Sequence, residues 1–282
     1  MSRRRLTAAG FLLALLKYGA LSAGAIAMML PFIWMVLSSL MAPHEIMARP
    51  LVWFPARPQF ENYARLAEVV PLGRMYLNSL IVTIAITAGV LFTSSLAGYG
   101  FAKFRFPGRD TLFISVLATM MIPFFVVLIP VFYLVSRLGW VDSYLGLIVP
   151  NLVTAFGIFF MRQYILSLPD ELLDAARIDG ASEFGIYWRI VLPLCGPALG
   201  ALAILAFVYH WNSFLWPLIV VRSPELWTIP LGLNSLLIYA SSPEVVNLQM
   251  AGATLAIIPV LIVFVLLQRW FVQGISLTGL KG

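Results

Sequence analysis

Charged side chains are scarce in this sequence of 282 residues, at 11% against 61% hydrophobic residues. Soluble domains carry about 25% charged residues, and a globule of this length could not hide so much apolar surface from water. A soluble domain, a coiled coil, a disordered chain and a collagen-like fibre are excluded, and the class is integral membrane. Cysteine is nearly absent: Cys195 is the only one, so an intrachain disulfide, a C-x-x-C redox pair and a cysteine-rich zinc site are excluded. The two histidines, His44 and His210, lie far apart in sequence, and no metal site is expected. The only lysines are Lys17, Lys103 and Lys281, followed by Tyr, Phe and Gly. The phosphate-cradling G-x-x-x-x-G-K-[ST] loop is therefore missing, and the chain is expected to be no ATPase.

What is present is a series of long apolar runs, unlike the short alternating segments of a transmembrane β-barrel. A helical span needs about 20 apolar residues. Spans are expected at about 18–40, 77–101, 112–135, 145–164, 194–220 and 248–271, giving an all-α, six-span polytopic protein that forms a single domain over 1–282. Pro123, Pro130, Pro150, Pro197, Pro217 and Pro259 fall inside them, where neighbouring helices and waters can satisfy the freed carbonyls. The basic start, Arg3-Arg4-Arg5, has the look of an export signal. A signal's apolar core is only about 7–15 residues, whereas this run continues to Leu40, so a retained span is expected, led by an interfacial helix over 6–16.

All twelve Asp and Glu residues fall outside these spans. Ion-coupled carriers keep acids at membrane depth because a buried charge there is too costly without a task, so a secondary transporter is disfavoured. Neither an Arg-rich voltage sensor nor a TVGYG-type filter is seen. Lys and Arg divide twelve to six between the two sides and acids six to six. The positive-inside rule then puts both termini, the 102–111 loop and the 162–193 segment in the cytoplasm. The net charge of +6 is read as cytoplasmic loops, not as nucleic-acid binding. Segments 41–76, 136–144 and 221–247 are external, the first a proline-rich cap expected to lack a core of its own.

Segment 167–193 holds five of the six cytoplasmic acids. Ser167 is expected to cap a first helix, Gly180 to end it in the left-handed conformation, and Ser182 to cap a second helix before Pro193. Phe184, Ile186 and Trp188 are expected to be exposed. On physical grounds the hairpin either docks on a protein or rests as an amphipathic helix on lipid head groups.

The order Asp174-Ala175-Ala176, three residues, Gly180, nine residues, Ile190-x-Leu192-Pro193 resembles the EAA–G–I–LP signature of ABC-importer permeases. Asn78-Ser79, Tyr99-x-x-x-Lys103, Phe207-x-x-x-Trp211-Asn212-x-Phe214-Leu215-Trp216-Pro217 and Thr228-Ile-Pro230-Leu-Gly232 are similar to its carbohydrate and glycerol-3-phosphate branch. Asp174 stands where the family has Glu, one methylene shorter. The resemblance implies a bacterial or archaeal inner-membrane subunit that imports a sugar or polyol, or alternatively a glycerol-phosphate compound. It implies as partners a second permease, two cytoplasmic ATPase subunits that bind the ATP and Mg, an extracytoplasmic solute-binding protein and membrane lipid. It makes Asp174, Ala175, Ala176, Arg177, Asp179 and Gly180 the residues coupling to the ATPase. A scaffold without a transport path is the remaining alternative. Asn151, Thr154, Tyr209, Asn212 and Trp216 are polar or amphipathic residues inside spans. They either line a sugar path or bond between helices.

Overall fold

The computed structural model describes residues 8–239 and 243–276, and no strand occurs among them. In chain order the helices are α1 (Ala8–Ser39), α2 (Pro43–Ile46), α3 (Glu61–Val69), α4 (Leu72–Lys103), α5 (Arg109–Thr119), α6 (Phe124–Arg137), α7 (Tyr144–Ile148), α8 (Ala155–Leu166), α9 (Asp170–Ile178), α10 (Glu183–Ile186), α11 (Leu192–Leu194), α12 (Gly196–Trp211), α13 (Leu215–Val220), α14 (Ile229–Ser235) and α15 (Pro243–Ser276). The fold is all-α.

Three helices are long and apolar enough to cross a membrane unaided: Leu12–Ser39, Leu72–Lys103 and Val245–Trp270. Three further stretches qualify only as bent pairs: α5 with α6 at 99°, Tyr144–Asn151 with α8 at 42°, and Glu183–Leu194 with α12 at 77°. Each of the spans expected at 112–135, 145–164 and 194–220 thus corresponds to two helices with a bend between them. Pro123 caps α6 instead of lying inside a helix: it lacks an N–H and drives the residue before it out of the helical region. Of the interfacial helix expected over 6–16, residues 6 and 7 lie outside the described residues, and from Ala8 on it is continuous with the first span as α1.

The described residues fall into two compact units. The first comprises those up to Val69 with Ser235–Leu255; the second comprises Val70–Asn234 with those from Ala256 on. In the first unit, the segment after α1 has a small core after all. Met41 and Leu66 are fully buried. Around them the Asn62 amide donates to Ser39 O at 2.9 Å and Met41 O at 3.1 Å, and Asn247 also donates to Met41 O. The Glu45 carboxylate accepts the N–H groups of Ala42 and Ala56, and those bonds hold it below the usual carboxylate range.

In the second unit, Val82, Ile86 and Val90 recur every four residues on α4 and are buried, the spacing that aligns side chains along one helix face. They share a core with Met161 and Ile165 of α8 and with Ala198 and Leu202 of α12. The crossing of α4 and α8 needs small residues. A Cβ added at Gly98 would lie 2.8 Å from Met161 Cβ and 2.9 Å from the Arg162 backbone nitrogen, and one at Gly157 would lie 2.2 Å from Ser94 Oγ. Close approach through small residues is how helices gain dispersion contact in lipid.

Candidate coupling hairpin and solute path

The segment after α8 folds as a helix–turn–helix. Pro169, not Ser167, occupies the cap of α9; Ser167 instead donates its hydroxyl to Tyr164 O. Gly180 has φ +81° with open space around it, so its requirement is conformational, about 1 kcal/mol or more for a residue with a Cβ. The Ser182 hydroxyl accepts the Gly185 N–H and starts α10. A π turn follows over Tyr187–Val191, where the Leu192 N–H reaches back to Tyr187 O. Such turns accommodate an extra residue per turn.

Asp174, Ala175, Asp179 and Gly180 are exposed and Ala176 is half-buried. Arg177 is the electrostatic centre of the hairpin. Its Nη1 donates to Asp174 Oδ1 at 2.7 Å and its Nε to Glu183 Oε1 at 2.8 Å. Asp174 thus already has a cationic partner inside the hairpin. The Arg177 guanidinium holds the Glu183 carboxyl below its ordinary range, and bonds to Glu183 and Asp174 push Arg177 further up. Ile178 is 87% exposed, Phe184 62% and Trp188 53%, and the rings of Phe184 and Trp188 stack at 6.3 Å. Ile186, expected outside, is fully buried in the core with Tyr187.

Three residues four apart on α4 fasten this hairpin. Ser95 Oγ and Tyr187 OH share a hydrogen bond at 2.8 Å, Tyr99 OH donates to Glu183 Oε2 at 2.8 Å, and Lys103 Nζ donates to Leu168 O and Asp170 Oδ1, both at 2.6 Å. The Lys103 ammonium holds Asp170 below the usual carboxylate range. The i, i+4 spacing of Ser95, Tyr99 and Lys103 was a readable sequence signal for one helix face. Their partners are remote in sequence and were not readable.

At its other end α4 holds a second polar cluster. Asn78 is fully buried; its amide donates to Glu225 O and Trp227 O, both at 2.9 Å, and its Oδ1 accepts from Tyr144 OH at 2.6 Å. The Ser79 hydroxyl accepts from Ile229 N. Asp142, a non-glycine residue at φ +59°, accepts three hydrogen bonds on Oδ1: from Arg222 N, Ser223 N and Ser223 Oγ. The backbone bonds to Ser223 and Arg222 lower its pKa.

The residues proposed for the solute path do not converge as a set. Asn151 and Trp216 line one narrow cavity, together with Ser79, Thr83, His210 and Thr228. Thr154 is instead the cap of α8, accepting Gly157 N. Asn212 bonds locally to Val208 O. Tyr209 is 66% exposed on α12, and the break between Trp211 and Leu215 separates it from Trp216, with which it would share a face on an unbroken helix. His210 and Thr228, which were not among the expected path residues, also line the cavity.

Apolar helices, some of them broken, around a proline-ended hairpin clamped to one long helix define a membrane permease. Residues 89–277 match the family described as binding-protein-dependent transport system inner membrane component, and the chain belongs to that family. It is 45% identical over 231 residues to the arabinooligosaccharides transport system permease protein AraQ of Bacillus subtilis (strain 168), with 81% of each chain covered. It is 36% identical over 237 residues to the sn-glycerol-3-phosphate transport system permease protein UgpE of Yersinia pestis, covering 82% of this chain and 84% of that one. A crystal structure of a bacterial ABC transporter involved in the import of the acidic polysaccharide alginate contains a chain of the same fold. The two align at TM-score 0.82 over 94% of this chain and 98% of the other, at 23% identity. The protein is a multi-pass inner-membrane component of an importer.

Proposed function

We propose that this chain pairs with a second permease to form the translocation path for a neutral sugar or polyol, and that segment 167–193 couples the path to separate ATPase subunits. ATP and Mg bind to those subunits; this chain carries no cofactor of its own. An extracytoplasmic binding protein delivers the solute, and both termini lie in the cytoplasm with the hairpin. The observation that carries the coupling role is the exposed apolar tip of the hairpin: Ile178, Phe184 and Trp188 stand outside a segment whose base is fixed by Tyr99 and Lys103. A fixed base with an exposed apolar tip suits docking on a protein, and ATP-driven movement of that partner would be passed on to α4. Coupling of this kind shifts the population between two orientations of the path according to which one the ATPase state binds better.

The solute class rests on the relatives, one named for arabinooligosaccharides and one for sn-glycerol-3-phosphate. The identity to the latter keeps a glycerol-phosphate compound as the second reading. The lining of the cavity favours the sugar, since no Lys or Arg borders it and a phosphate recognises best where charged donors converge. The test is co-purification from native membranes. An ATPase, a second permease and a solute-binding protein are expected with this chain, and the ligand of the binding protein names the solute. A chain that purifies alone and transports alone would refute the proposal.

A further inference from the structure

The cavity between α4, α12 and the segment leading into α14 contains more hydrogen-bonding capacity than the protein itself uses. Some of its walls are spent. Ser79 Oγ accepts Ile229 N at 2.8 Å, the Asn151 amide donates to Leu147 O at 2.9 Å, and Trp216 Nε1 donates to Gly146 O at 3.0 Å. These bonds hold the walls in place. The Thr228 hydroxyl is different: the residue is 5% exposed, and its Oγ has no hydrogen-bond partner. Thr83 is 1% exposed and His210 is 9% exposed, and both residues line the same cavity.

A buried polar group without a partner is costly, and buried polar groups are paired in the great majority of cases. One such group, the Thr228 hydroxyl, beside the polar side chains of Thr83 and His210 at the same cavity, points to a partner that comes from outside the chain. Its chemistry is restricted in three ways. No Asp, Glu, Lys or Arg lines it, so an ionised group would enter without a counter-charge. Threonine hydroxyls donate and accept, and a neutral imidazole does one at each nitrogen, which matches a group that also does both. The cavity is narrow, with room for one water-sized group.

We infer that this cavity is a subsite for one uncharged hydroxyl, bound by Thr228, Thr83 and His210 and bordered by the Trp216 ring, and that the hydroxyl it takes in transport belongs to a neutral saccharide. The inference rests on the neutral-sugar reading above and assigns it to particular atoms. A water molecule shares the hydroxyl chemistry, and the experiment separates the two sources.

The test uses the assembled transporter in proteoliposomes, with arabinotriose and glycerol 3-phosphate as the probes. For arabinotriose uptake, Thr228→Val keeps the side-chain shape and removes the hydroxyl, and KM is expected to rise about 3–10-fold, the effect of one neutral hydrogen bond. Thr228→Ser is expected to retain the wild-type KM. Thr83→Val is a second, independent removal and is expected to act in the same direction. An unchanged KM in both valine variants, with only thermal stability altered, would mean that the cavity holds water and would overturn the subsite alone. Uptake of glycerol 3-phosphate but not of arabinotriose by the wild-type transporter would overturn the neutral-sugar reading itself.

Discussion

The bond between Tyr99 and Glu183 is where α4 grips the hairpin, and its strength can be worked from the structure. Tyr99 is 3% exposed and its hydroxyl donates to Glu183 Oε2 at 2.8 Å. In Glu183→Ala the tyrosine hydroxyl stays buried without an acceptor, a penalty of about 1–3 kcal/mol. The same substitution also breaks the Arg177–Glu183 ion pair. The two side chains of that pair are 37% and 43% exposed, so solvent screening holds its share to about 0.2–1 kcal/mol. The hydroxyl therefore dominates. Tyr99→Phe removes the donor and leaves the ion pair intact, so the double variant, which has no orphaned hydroxyl, should be no less stable than Glu183→Ala alone. A double-mutant cycle should return a coupling energy of about 1–2 kcal/mol. The assay is thermal unfolding of the assembled transporter in nanodiscs, with ATP turnover and solute uptake measured on the same preparations. Because the base of the hairpin is loosened, uptake per ATP should fall in Glu183→Ala. A coupling energy indistinguishable from zero, together with unchanged uptake per ATP, would refute the idea that α4 and the hairpin move as one body.

Two other sites give sharp expectations. Gly98→Ala places a Cβ against Met161 and the Arg162 backbone, so it should lower thermal stability by about 1–3 kcal/mol, while Gly100→Ala, where the same atom meets nothing within 4 Å, should be tolerated. The carboxyl of Asp142 has its pKa lowered by the backbone bonds to Ser223 and Arg222. Its contribution is therefore present above the unfolded value of about 3.9 and is lost as pH falls through the lower folded value. The gap in thermal stability between the native protein and Asp142→Ala should be largest at pH 7 and narrow as pH falls through the lowered folded value; a gap that does not change with pH would contradict this.

The sequence made the helical class plain because the apolar runs are long enough for spans and the acids avoid them. It also placed the hairpin turn, since Gly180 and Ser182 act through their immediate neighbours: a positive φ and an N-cap are local matters. Continuity of the spans was less legible. Proline inside a span can be absorbed, as Pro259 is within α15, or can start a new helix at a break, as Pro123 does, and the choice depends on packing that is remote in sequence. The same limit applied to the solute path. Tyr209, Asn212 and Trp216 share a face only on an unbroken helix, and the break after Trp211 dispersed them. Asn78 and Ser79 stood out only as motif residues; the structure gives them a task, holding Glu225, Trp227 and Ile229. Arg177 was grouped with the coupling residues without its role as the centre of a three-residue ion-pair cluster, because Glu183 lies beyond the turn.

The docking of the hairpin on a separate ATPase is tested most directly by site-specific cross-linking at Ile178. That side chain is 87% exposed, and the single native cysteine, Cys195, is fully buried and will not compete. An Ile178→Cys variant carrying a photo-activated cross-linker, in native membranes, is expected to capture the ATPase subunit, with the yield changing when ATP is added. Introducing Gly180→Val into the same chain should sharply reduce the yield by tilting α9. Capture of lipid alone, insensitive to ATP and to Gly180→Val, would show that segment 167–193 lies on the membrane surface and would contradict the account.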